Sequence, residues 1–271
     1  MPFHRRLACK LNYFQSIILM FAAVILIGAA LLMLPISAQE RTVTPFHEAL
    51  FTATSAVCVT GLVVRDTASH WSAFGQAVLM VLIQIGGLGV ITVGASFSLL
   101  SGRRISLSQR GRMQEAMSAP KVGGIVRLTG FVIRTSLMIE GIGALCMLPV
   151  FCRDFGVSGI WKAVFHSVSA FCNAGFDLMG TPDMPFVSLP AYRADPVINL
   201  TISALIVVGG VGFLTWDDVR CNRLCFHRYR LQSKVILTAT ALLILLPTLY
   251  FFCFEFKGST LRERLLLSLF Q

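Results

Sequence analysis

Two short turns hold the residues whose types and spacing best suit chemistry. They are Val57-Cys58-Val59-Thr60-Gly61 and Cys172-Asn173-Ala174-Gly175. Each ends on glycine and carries few side-chain ligands, so its coordinating atoms are mainly backbone carbonyl oxygens. Thr60 adds a hydroxyl and Asn173 an amide. Carbonyl oxygens arranged in a ring can replace the hydration shell of a monovalent cation. Glycine reaches φ > 0 without a steric penalty, which lets carbonyls turn toward an axis. Asp177 follows the second turn directly and has two readings: an acid that gathers cations at an outer mouth, or an exposed loop acid.

Other chemistries fit less well. Eight cysteines stand at 9, 58, 146, 152, 172, 221, 225 and 253, with no CxxC pair. Cys221 and Cys225 with His227 lack a fourth ligand and match no zinc spacing. No nucleophile–base pair, phosphate loop or zinc finger is evident, so the residues point neither to an enzyme nor to a nucleic-acid binder. Gly86-Gly87-Leu88-Gly89 and Gly209-Gly210-Val211-Gly212 follow no strand, which argues against a dinucleotide loop. They read as small residues that let membrane helices approach closely.

The elements that position the turns follow from composition. Of 271 residues 55% are hydrophobic and 13% charged, and mean hydropathy is +0.75. A soluble domain carries about 25% charged residues, so the class is membrane. Five segments have the length of a spanning helix, about 20 apolar residues: Tyr13–Leu34, Ala73–Leu100, Leu128–Val150, Val197–Trp216 and Val235–Phe256. The first is longer than the apolar core of a signal peptide and reads as a retained helix.

Net charge is +10, and its placement matters more than its sum. The segments before Tyr13, between Leu100 and Leu128, and between Trp216 and Val235 hold 3, 6 and 5 Lys/Arg; the alternate segments hold 2, 3 and 3. Asp154, Asp177, Asp183 and Asp195 share one of the latter. The positive-inside rule places the N-terminus in the cytoplasm. Arg134 and Glu140 lie within the third span. Arg134 is near enough to its end to snorkel, whereas Glu140 sits deeper, where an ionisable group is a functional candidate. His166 reads as a packing histidine.

Two outer segments, Pro45–Leu62 and Gly159–Phe176, are too apolar for plain loops and too short to cross twice. Each fits a re-entrant half-helix followed by a turn. Irregular backbone at membrane depth is tolerated only beside protein or a water-filled cavity. The two segments align without gaps at an offset of 114, with Ala49, Phe51, Ser55, Ala56, Cys58 and Gly61 recurring as Ala163, Phe165, Ser169, Ala170, Cys172 and Gly175. The following spans match at an offset of 123, Ile83 with Ile206 through Thr92 with Thr215. The sequence therefore repeats a span, half-helix, turn and span in parallel orientation, a symmetry that leaves a path along the membrane normal. A half-helix entering from outside points its C-terminal end, with a partial negative charge, at the membrane centre. That favours cations.

With their half-helices, the turns Val57 to Leu62 and Cys172 to Asp177 resemble the first two filter loops of the Trk/Ktr/HKT superfamily. The likeness is nearest to the membrane subunit of bacterial Ktr-type potassium uptake systems. Gly102-Arg103-Arg104-Ile105-Ser106-Leu107, Met113 to Ala116, Asp195 to Leu200 and Glu263 to Gln271 extend it over nearly the whole chain. The resemblance implies four span–pore–span units per polypeptide, one glycine per filter loop, and potassium transport that is sometimes sodium-dependent. It also implies homodimers gated by a cytoplasmic nucleotide-binding ring, in the cell membrane, with no cofactor beyond the transported ion. By motif match Gly61 and Gly175 are the first two filter glycines. Third and fourth loops are not in this sequence.

The expected architecture is an all-α membrane protein of repeated span–pore half-helix–span units with re-entrant P-loops. Residues 1–101 form the first unit, 102–127 a cytoplasmic linker, and 128–217 the second unit. Residues 218–271 hold a cytoplasmic loop, the fifth span and the start of a third half-helix, in which Phe270 corresponds to Phe51. On this reading the chain is half of a four-fold pore. Two alternatives stay open: a truncated, non-functional fragment, and a secondary transporter with broken helices.

Overall fold

A chain immersed in lipid must satisfy its backbone hydrogen bonds internally, and a helix does so within one segment. The computed structural model describes residues 13–89, 125–223, 225–255 and 260–271, and no strand occurs among them. In chain order α1 is Tyr13–Met33, α2 Phe46–Val57, α3 Thr67–His70, α4 Ala73–Leu88 and α5 Ile125–Phe155. Then follow α6 Ser158–Phe171, α7 Pro196–Gly210, α8 Phe213–Asn222, α9 Leu231–Tyr250 and α10 Leu261–Phe270. The basic N-terminal segment, the end of the second predicted span with Thr92, and most of the 102–127 linker lie outside the described residues.

Three helical stretches are long and apolar enough to cross a bilayer: Gln15–Met33, Val126–Phe155 and Leu231–Glu255. Leu243, Leu245, Leu246 and Leu249 of α9 are each more than half exposed, as a lipid-facing helix allows. The fourth predicted span is not one rod. It breaks between α7 and α8, which meet at 93°. Gly212 causes the break, at φ +88 and ψ 151, far from helical values. In the second predicted span α4 stops at Leu88, and Gly89 has φ +83 and ψ 131. The two glycines are third in their Gly-Gly-x-Gly runs and correspond at the offset of 123.

Two compact units divide the chain: residues up to Arg65 with His70–Arg134, and Asp66–Ser69 with Thr135–Gln271. In the first, α1 packs on α2 and α4. The link into α4 is tied by the Ser72 hydroxyl, which donates to the Ile36 carbonyl at 2.6 Å. In the second, α6 packs on α7, and α10 packs on α7 and α9. Asp195 caps α7, accepting from the amides of Val197 and Ile198. Asp218, buried on α8, accepts from Ser233 Oγ at 2.5 Å and from the Arg230 amide at 3.0 Å, fixing where α9 begins. Thr260 caps α10 by accepting from the Glu263 amide.

Candidate functional site

Helices α2 and α6 end alike. In α2 the amide of Cys58 donates to Thr54 O, and that of Thr60 reaches back five residues to Ser55 O at 3.0 Å. In α6 Cys172 N donates to Val168 O, and Ala174 N to Ser169 O at 2.8 Å. This is a Schellman-type end, which needs a left-handed residue just after the cap. That residue is Val59, φ +56, in the first turn and Asn173, φ +57, in the second. Asparagine tolerates the left-handed region; a β-branched valine does not do so readily. Gly61 and Gly175 follow two residues later, both at φ +73. Backbone handedness therefore alternates from Cys58 to Gly61 and again from Cys172 to Gly175.

The two side chains with oxygen or amide ligands, Thr60 and Asn173, are both exposed. The Thr60 hydroxyl donates to Ser55 Oγ at 2.9 Å. The Asn173 amide lies against Gly209 and Gly210 of α7, within 4 Å of where a Cβ on either would stand. Ser55 has its counterpart in Ser169, whose hydroxyl donates to Phe176 O at 2.6 Å. Both serines sit behind their turns. Their identical recurrence in the repeat was the signal that could have marked them as site residues.

Close packing holds the ends of the half-helices in place. A Cβ on Gly86 would strike the Val57 carbonyl, and one on Gly209 the Phe171 carbonyl. Val57 and Phe171 are the last residues of α2 and α6 and correspond in the repeat. The first glycine of each Gly-Gly-x-Gly run is thus a contact point and the third is a helix breaker; as a packing run, the motif foretold only the first role.

Beyond each turn the chain is tied back to the N-terminal half of the preceding helix. Arg65 donates to both Glu48 carboxylate oxygens, at 2.8 and 3.0 Å. In the second unit Lys162, at the position of Glu48, donates to the Leu178 carbonyl. His166 is buried and accepts from the Leu178 amide at 3.3 Å. Asp177 accepts from the Met179 amide at 2.9 Å. Burial holds its carboxyl above the usual carboxylate range, with Asp66 adding to the rise. A cavity of about 240 Å³ beside the second turn is lined in part by Ser169, Asn173, Gly175 and Asp177.

The two charged residues of the third predicted span differ in exposure. Arg134 is exposed on α5. Glu140 is buried, and its backbone carbonyl accepts from Ser167 Oγ at 2.6 Å, docking α5 on α6. Among the described residues no three His, Cys, Asp or Glu side chains gather as metal ligands would.

The family model of TrkH, described as a cation transport protein, matches residues 8–261. The chain is 40% identical over 261 residues to the potassium/sodium uptake protein NtpJ of Enterococcus hirae, covering 95% of this chain and 56% of that protein. It is 41% identical over 245 residues to the Ktr system potassium uptake protein B of Bacillus subtilis, covering 90% and 53%. With the protein of the same name from Vibrio alginolyticus it shares 39% over 244 residues, covering 89% and 52%. The chain spans about half the length of the curated relatives it matches.

Proposed function

This chain belongs to the TrkH family of cation transport proteins, and on that premise we propose that it supplies the first two pore-lining units of a potassium uptake protein of the cell membrane. Val57 to Gly61 and Cys172 to Gly175 are its first two filter turns, with Asp177 at the outer mouth. Each unit is a span, a re-entrant half-helix, a filter turn and a second span. Ions are held by backbone carbonyls, with sodium as a second transported or coupling ion. The N-terminus is cytoplasmic. The membrane subunit works as a homodimer with a cytoplasmic nucleotide-binding regulatory subunit.

One observation carries this reading. The same turn occurs twice, with the same alternating backbone handedness in both copies. The oxygens of each turn are mainly backbone carbonyls, beside the Thr60 hydroxyl in the first and the Asn173 amide in the second. They lie at the C-terminal end of a half-helix, where the peptide dipoles sum to roughly half a negative charge. Carbonyl coordination of potassium is the chemistry such a turn can perform.

Complementation tests the reading. The chain is expressed alone, and joined to the C-terminal half of a related uptake protein, in a bacterium lacking potassium uptake systems. Growth at limiting potassium is the readout. Rescue by the joined form, with potassium preference altered by Gly61→Ser, is the expected result. Unchanged ion preference in that variant would remove the filter assignment. Absence of rescue with both forms in the membrane would remove the potassium assignment.

A further inference from the structure

Lys162, His166 and Ser169 share one face of α6, at i, i+4 and i+7. Each reaches a different backbone group in the segment that leaves the second turn. Ser169 Oγ donates to Phe176 O at 2.6 Å, Leu178 N donates to His166 Nε2 at 3.3 Å, and Lys162 Nζ donates to Leu178 O. A carbonyl can only accept, so His166 Nδ1, 2.7 Å from Lys162 O, carries the ring proton and leaves Nε2 as the acceptor. The neutral ring is oriented from both sides and stacks near Phe151, with ring centres 5.3 Å apart. The Lys162 ammonium lies 4.4 Å from the centre of the Phe155 ring, a favourable cation–π distance.

The first unit handles the same segment differently. Glu48 holds Arg65 through an ion pair whose arginine is about half exposed. Thr52, aligned with His166, turns its hydroxyl back to Glu48 O. In the second unit Leu178 is held at both its N–H and its C=O. This matters because Gly175 has no side chain to anchor it and sits at φ +73, so the position of the turn must be set from its ends.

We propose that Lys162, His166 and Ser169 form a latch that fixes the second turn from its exit side and thereby sets its affinity for potassium and its preference over sodium. They are positioning residues. The proposal rests on the reading of that turn as ion-coordinating. Loosening the exit segment lets the carbonyls relax toward whichever cation is present.

The test is cation-dependent thermal stabilisation of the purified chain joined to the C-terminal half of a related uptake protein, titrated with potassium, sodium and choline chlorides. A cation that binds the folded state raises the melting temperature by linkage. His166→Leu and Lys162→Met should raise the potassium concentration for half-maximal stabilisation by roughly tenfold, equivalent to one lost hydrogen bond, and narrow the gap to sodium. His166→Gln keeps an acceptor for Leu178 N and a donor for Lys162 O, and Lys162→Arg keeps a cationic donor; both should restore the unmodified midpoint. Should His166→Leu not fold, the Lys162 pair carries the test. Variants that melt lower in choline but keep the potassium midpoint and the sodium gap would overturn the latch. An unmodified joined protein stabilised equally by all three salts would overturn the underlying reading of the turn, and the latch with it.

Discussion

Val59 is the residue whose conformation asks most of its neighbours. A β-branched side chain at φ +56 is disfavoured by about 1–2 kcal/mol relative to right-handed backbone. The bond from Thr60 N to Ser55 O and the bond from the Thr60 hydroxyl to Ser55 Oγ hold it there. Val59→Asn should relieve much of the strain, because asparagine is enriched in this region. The expected gain is about 1 kcal/mol, or roughly 2–4 °C in melting temperature for a chain of this size; an unchanged or lower value would mean Val59 is not strained. Gly61 and Gly175 were legible in the sequence because glycine is the residue that reaches φ > 0 freely. Val59 was not, since local rules assign a valine to extended or helical backbone and only the helix-ending bonds override them. Lys162 stayed hidden for another reason. Aligned with Glu48, it looks like a charge reversal without common purpose, yet both residues tie down the segment beyond their turn.

At the scale of elements, the repeat at an offset of 114 was readable from identical residues at aligned positions; α2 falls within its predicted segment, and α6 begins one residue ahead of its own, at Ser158. The end of α4 at Gly89 and the break at Gly212 were not foreseen. An apolar run of 20 residues looks continuous whatever its glycines do, and glycine within a membrane helix has an equally good packing explanation. Both explanations hold, at different glycines of one motif. The packing member can be tested directly. A Cβ on Gly209 would meet the Phe171 backbone carbonyl, which cannot rotate away as a side chain could. Gly209→Ala should therefore shift the end of α6 and cost about 1–3 kcal/mol of stability. Gly141→Ala on α5, with open space around its Cβ, should be neutral or stabilising by up to about 1 kcal/mol through helix propensity. Equal melting temperatures for the two variants would refute the close contact at α6.

For the whole molecule, the proposed filter reading depends on orientation across the membrane, which decides the side from which α2 and α6 would enter. Their C-terminal ends face the membrane centre from outside only if residues 217–234 are cytoplasmic, as the five Lys/Arg of that segment predict. The segment brings its own probes. Cys221 and Cys225 are exposed thiols there, beside the Asp217–Arg230 pair and the Asp218 clasp that fix α8 to the start of α9. In a variant keeping only these two cysteines, a membrane-impermeant maleimide should leave intact cells unlabelled and react after permeabilisation. Ser188→Cys, placed in the acid-bearing segment between α6 and α7, should label in intact cells in the same background. Because each span reverses the side, one crossing misplaced between these markers would give both the same accessibility. A labelled Cys221–Cys225 pair in intact cells with a protected Ser188→Cys would invert the protein, turn the half-helix dipoles to enter from the cytoplasm, and place Asp177 at the inner end of the path.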